Sequence, residues 1–103
     1  MIELKDKHAT GLAIRLHDDD NIVIARHDLA IGAKLEREGL TVKSQVPAGN
    51  KVAARAIKKG EPILKYNVVI GFASADIAPG MFVHSHNMEF REFDRDYAYA
   101  SEF

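Results

Sequence analysis

The sequence predicts a small, mostly β domain of short, bent strands with at most one or two short helices. Three observations lead there. A unit of apolar residue, two spacers, glycine, two spacers and a second apolar residue occurs four times. The stretches between these units are rich in β-branched residues, and helical patterning is nearly absent. Each glycine can supply the positive φ of a tight turn, and the flanking apolar residues can then enter a core from either side.

Taken in order, Leu12-Ala13-Ile14-Arg15-Leu16 alternates apolar with polar or small residues and ends at His17. Asn21 to His27 (Asn21-Ile22-Val23-Ile24-Ala25-Arg26-His27) is a β-rich run. The first glycine unit runs from Leu29 through Gly32 to Leu35. Ala33 to Glu38 has helical propensity and Gly39 is placed to end it, but such a run makes only a turn or two. The second unit is Val46, Gly49, Val52, and the third is Ile57, Gly60, Ile63, with Lys51 to Ile57 partly alternating between them. Val68 to Ala73 is nearly continuous in apolar character, the pattern of a strand buried on both faces. The fourth unit, Ile77, Gly80, Val83, precedes His84-Ser85-His86-Asn87. Pro47 and Pro79 preset the backbone close to their glycines. The uneven intervals between units rule out a solenoid of fixed period.

Composition bounds the function classes. The 103 residues make one domain, and 47% hydrophobic with 28% charged residues is the mix of a globular protein. A formal net charge of -1 argues against a nucleic-acid binder. There is no cysteine, which excludes disulfides and thiolate metal sites and makes a reducing cytoplasm the expected compartment. No apolar run reaches the roughly 18 to 20 residues that span a bilayer, so no membrane role is expected. No nucleophile elbow, Walker loop or dinucleotide-binding glycine motif is present.

His84 and His86 carry the sharpest chemistry. Read as a strand, the two would face the same side with Cα atoms roughly 6.5 to 7 Å apart. Two imidazoles so placed can share a metal ion, or one can bind metal while the other meets substrate. The alternative is the exposed face of an edge strand, and two ligands do not complete a metal site. Any further ligands would come from a partner. Asn87 and Ser85 adjoin the pair and, with Arg55, are the candidate substrate contacts. Lys51 and Lys65 offer charge to an anion with less weight. His8, His17 and His27 are scattered and read as structural. Asp18-Asp19-Asp20-Asn21 opens like a calcium loop but lacks its sixth-position glycine, and Leu29 stands in place of the final glutamate. A solvated turn is expected there.

From Val46 to Tyr66, Ile70 to Gly80 and Val83 to Asn87 the chain resembles the SAF domain of the altronate and galactarate dehydratase family. Asp20-Asn21-Ile22-Val23, Asp28-Leu29 and Gly32 fit the same pattern. The resemblance implies a β-clip fold over residues 1–88, followed by a polar, aromatic tail or linker over 89–103. Within that tail Arg95-Asp96-Tyr97-Ala98-Tyr99 resembles the connection to a large catalytic domain. It further implies the small subunit or N-terminal domain of a sugar-acid dehydratase, inactive without a large catalytic subunit or domain. The implied reaction is β-elimination of water from a 2,3-dihydroxy acid with a divalent metal, iron(II), as Lewis acid. His84 and His86 match the family's histidine motif and are the expected catalytic or metal-ligating residues. Asn50 and Phe82 depart from it, since family members often carry histidine at both positions. A related sulfolactate sulfo-lyase small subunit, a non-catalytic SAF-type binding module for a sugar acid or small anion, and a structural adaptor are the alternatives. A homo-oligomer is compatible with any of them.

Overall fold

The computed structural model describes residues 11–90 of the chain. His8 and the tail from Arg91 onward lie outside the described residues. Among the described residues there are nine short strands, β1 (Ala13–Ile14), β2 (Ile22–Ala25), β3 (Lys34–Leu35), β4 (Leu40–Thr41), β5 (Lys51–Ala53), β6 (Pro62–Lys65), β7 (Val68–Ala73), β8 (Phe82–Val83) and β9 (Met88–Glu89). The helical element among the described residues is one 3-10 turn, Glu36–Glu38, closed by Gly39 with φ +68°. Sheet orders are β1-β2-β5-β8, β3-β4 and β6-β7-β9, with every strand pair antiparallel. This is the mostly β architecture expected. The last strand, β9, ends at Glu89.

Each glycine unit is a hydrogen-bonded β-turn. Ala33, Asn50, Glu61 and Met81 donate their backbone N–H to the carbonyls of Ala30, Pro47, Lys58 and Ala78. The glycine is the third residue each time, with φ between +86° and +94°, as a type II turn requires. Pro79 holds the second turn position, while Pro47 holds the first.

The turns are paired. Leu29 and Val46 exchange both backbone hydrogen bonds, and so do Ile57 and Ile77. Around the first pair Gly32 donates to Val42 and Gly49 to Ala25; around the second Gly60 donates to Ala73 and Gly80 to Ala53. Two aspartates clamp the pairs in matching fashion: Asp28 accepts from the Ala48 N–H at 2.9 Å and Asp76 from the Lys59 N–H at 2.8 Å. The two halves therefore repeat one reciprocal arrangement, and β5 lies between them.

The β1-β2-β5-β8 sheet separates two cores. Ile22, Ala53 and Val83 face a cluster with Ile57, Ile63, Ala73 and Ile77. Val23, Ala25 and Val52 face the other, with Leu29, Leu35, Val42 and Val46. β2 and β5, the two central strands, are thus enclosed on both sides. The expectation that Val68 to Ala73 is enclosed on both faces fails: Val68 and Val69 are exposed, and burial sets in toward Gly71 and Ala73. The Val68 end of β7 extends past the core with the hairpin tip, so apolar character there does not mean enclosure.

The turn expected to be solvated at Asp18 to Asn21 is half wrong. Asp20 and Asn21 are buried. Asn21 donates its amide to the Pro62 carbonyl and accepts from the Leu64 N–H, tying the start of β2 to β6. The two Asp20 oxygens accept the N–H groups of Tyr66 and Asn67, each at 2.7 Å. Those two residues form the β6–β7 hairpin tip and have φ of 58° and 60°. Left-handed backbone suits Asn67; at Tyr66 it costs about 1–2 kcal/mol, which the charge-assisted bonds to Asp20 offset.

Candidate functional site

The polypeptide leaves β8, an edge strand, directly into His84-Ser85-His86-Asn87, which is a turn and not the strand expected. Asn87 makes it one. Its backbone N–H donates to the His84 carbonyl at 3.0 Å, and its side-chain oxygen accepts the His84 N–H at 2.9 Å. Its amide donates to the Phe82 carbonyl at 2.8 Å. Asn87 is buried, and it joins the turn to β7 by accepting the Ser74 N–H at 3.0 Å. An asparagine able to serve its own local backbone outcompetes strand continuation. The side chain placed among substrate contacts is therefore the brace of the turn.

His84, Ser85 and His86 are exposed. The two imidazoles do not meet by strand alternation; both pack on Phe82. The His84 ring stacks on it with centroids 5.3 Å apart and planes 11° from parallel. The His86 ring tilts at 50° with centroids 5.5 Å apart. Stacking engages ring faces and leaves the ring nitrogens, which lie at the edges, available to a ligand. Phe82 is itself fixed by its N–H to the Ser44 hydroxyl at 2.9 Å. Sequence reasoning marked Phe82 only as a departure from the family pattern; its place two residues before His84 was the available signal.

Register places the other candidates. Lys51 pairs with Val83 and with Ile24, at the turn's end of β5. It is half-buried, and burial, with the charge of Lys65 second, lowers its pKa from the ordinary lysine value. Asn50 precedes Lys51 as His84 follows Val83, so register sets Asn50 across from His84, while Phe82, the other departure from the histidine pattern, packs against both histidines. Arg55 is not brought to the turn. It lies beyond the opposite end of β5, where its guanidinium donates to the Ala56 carbonyl and faces Glu61 at 3.8 Å. A shallow cleft lined by Asp28, Leu29, Gln45 and Pro47 lies over the Leu29–Val46 bridge and includes no residue of the turn. Among the described residues no group of three or more His, Cys, Asp or Glu side chains could hold a metal ion.

Residues 11–91, which take in every strand and the histidine turn, match the altronate/galactarate dehydratase SAF domain. The chain belongs to that family. It is 39% identical over 93 residues to the altronate dehydratase of Escherichia coli, covering 87% of this chain and 19% of that protein. With the altronate dehydratase of Bacillus subtilis it shares 38% identity, over 72% of this chain and 15% of the relative. The (2R)-sulfolactate sulfo-lyase subunit alpha of Paracoccus pantotrophus is 44% identical over 48 residues, 47% of this chain and 72% of that subunit. The SAF-family chain thus spans less than a fifth of the dehydratases it matches and most of the sulfo-lyase subunit. No helix among its described residues is long and apolar enough to cross a membrane.

Proposed function

We propose that this chain is the small subunit or N-terminal domain of an altronate- or galactarate-type sugar-acid dehydratase, and that it lends His84 and His86 to a site completed by a large catalytic portion. The observation that carries the reading is the turn itself. Two exposed imidazoles are packed on Phe82 and braced by buried Asn87, with no third ligand in reach among the described residues. A pre-ordered but incomplete pair suits a shared site, and the dehydratase relatives are several times longer than this domain. The reaction class is β-elimination: a base takes the proton α to the carboxylate, and the 3-hydroxyl departs as water. A divalent ion, iron(II) in this reading, supplies Lewis-acid stabilisation of the developing negative charge. His84 and His86 are the residues of this chain that would hold it or contact the substrate.

Dehydration of altronate and galactarate is to be assayed with this chain alone, the large dehydratase polypeptide alone, and their mixture with iron(II). Activity is expected only in the mixture. His84→Ala and His86→Ala each lower it at least a hundredfold while lowering stability by no more than about 1.5 kcal/mol in urea, the contribution of an exposed ring packed on Phe82. Full activity of the large polypeptide alone removes the chain from catalysis. Saturable sugar-acid binding by the chain, without activity in any mixture, identifies a binding module instead.

A further inference from the structure

The β6–β7 hairpin tip combines features that folding alone does not ask for. A two-residue turn with both φ values positive ordinarily carries glycine, asparagine or aspartate. Here the first position is Tyr66, a bulky aromatic held left-handed at φ 58°. Its backbone is fixed from below by Asp20, and the strand before it by Asn21. The side chain gains nothing visible in return: it is 68% exposed and makes no hydrogen bond or ring contact with other described residues. Val68 at 59% and Val69 at 48% leave both faces of β7 apolar and exposed next to the tip. Strain retained in an over-determined, exposed aromatic points to a role outside the domain, and tyrosine is among the residues that anchor interfaces.

The chain direction says what lies beside it. β9 runs antiparallel to β7, pairing Met88 with Ala73 and then Glu89 with Phe72. The polypeptide therefore heads toward the Val68 end of β7, and Phe90, 78% exposed, is the next residue on that course. The family members that match this domain carry it beside a much larger body: it takes in 19%, 15% and 16% of the three dehydratases. The histidine turn sits at the other end of β7, where Ser74 bonds Asn87. The six residues between the ends span roughly 17 Å.

We infer that the Tyr66-Asn67 tip, with Val68 and Val69, is the docking surface for the large catalytic portion of the dehydratase, holding the domain at a point remote from the histidine turn. The inference rests on the functional reading above. It separates two tasks along one strand: attachment at the tip and chemistry at the turn.

The test measures the dissociation constant of the full 103-residue chain and the separately purified large dehydratase polypeptide by sedimentation, together with activity as a function of chain concentration. Tyr66→Asn keeps a residue that tolerates the left-handed turn, and Val69→Thr keeps a β-branched strand residue. Each is expected to weaken association at least tenfold, with an unchanged or higher urea midpoint for Tyr66→Asn and with activity recovered at saturating chain. His84→Ala is expected to do the reverse, associating normally and losing activity. Wild-type association in both tip variants overturns the docking surface while leaving the dehydratase reading standing. Association that depends on Tyr66, with no activity in any mixture, upholds the docking surface and ends the dehydratase reading. Failure of the wild-type chain to associate overturns both.

Discussion

Lys51 lies between Ile24 and Val83 in the central sheet, half-buried and within the field of Lys65. Burial first and that charge second lower its pKa from 10.5, so the folded state binds this proton less tightly than the unfolded chain does. The sign follows from linkage. The charged side chain is a full cost to the fold below its lowered pKa, the cost shrinks as pH rises, and it is gone above 10.5. Lys51→Met, which keeps the stem, should therefore raise the thermal midpoint at pH 7 and lose that advantage as pH passes 10.5. A gain that stays constant across the range would assign the effect to packing instead. Lys51 was visible in the sequence as a cation that an anion might use; its burial was not, because that depends on which strands flank it. Asp20 and Asn21 were less legible still. Consecutive acidic residues read as a solvated turn, and only the tertiary fold supplies the Pro62, Leu64, Tyr66 and Asn67 backbone groups that draw them inside.

The glycine units are the most legible elements. Their spacing announced turns, and all four are turns of the expected kind. What spacing does not reveal is how differently the glycines are used. A Cβ on Gly49 meets nothing within 4 Å, whereas one on Gly80 would land on the Thr41 carbonyl, and Lys43, two residues on, donates its N–H to the Gly80 carbonyl at 2.8 Å. Gly49→Ala should cost about 1–2 kcal/mol, the penalty for the left-handed backbone. Gly80→Ala should cost about 3 kcal/mol or more, because backbone must also move. Equal losses in urea unfolding would show that Thr41 does not constrain this turn. The histidine segment was legible in composition and misjudged in shape. Alternating His-Ser-His reads as a strand, but Asn87 offers three local hydrogen bonds that a strand at this edge does not. Both imidazoles pack on Phe82, a contact within the turn that strand periodicity cannot express.

At the scale of the molecule, the two reciprocal turn pairs meet in β5. The first pair continues into β2–β5 through the Ala25 N–H on the Asn50 carbonyl and the Gly49 N–H on the Ala25 carbonyl. The second continues into β5–β8 through the Ala53 N–H on the Met81 carbonyl and the Gly80 N–H on the Ala53 carbonyl. Four units were readable in the sequence, but not that they pair first with second and third with fourth, because the intervals between them are unequal and the partners are chosen by backbone geometry. The arrangement has a consequence for cooperativity. β5 sends Val52 into one core and Ala53 into the other, and both are wholly enclosed, so neither half can open without disturbing the strand that lines the other. The amide protons of Ala25 and Ala53, one from each half, should then exchange with deuterium at the same free energy, that of global unfolding measured with urea. A markedly lower value for either would mean that the halves melt separately. If the values agree, a single three-residue strand makes two similar half-domains one thermodynamic unit.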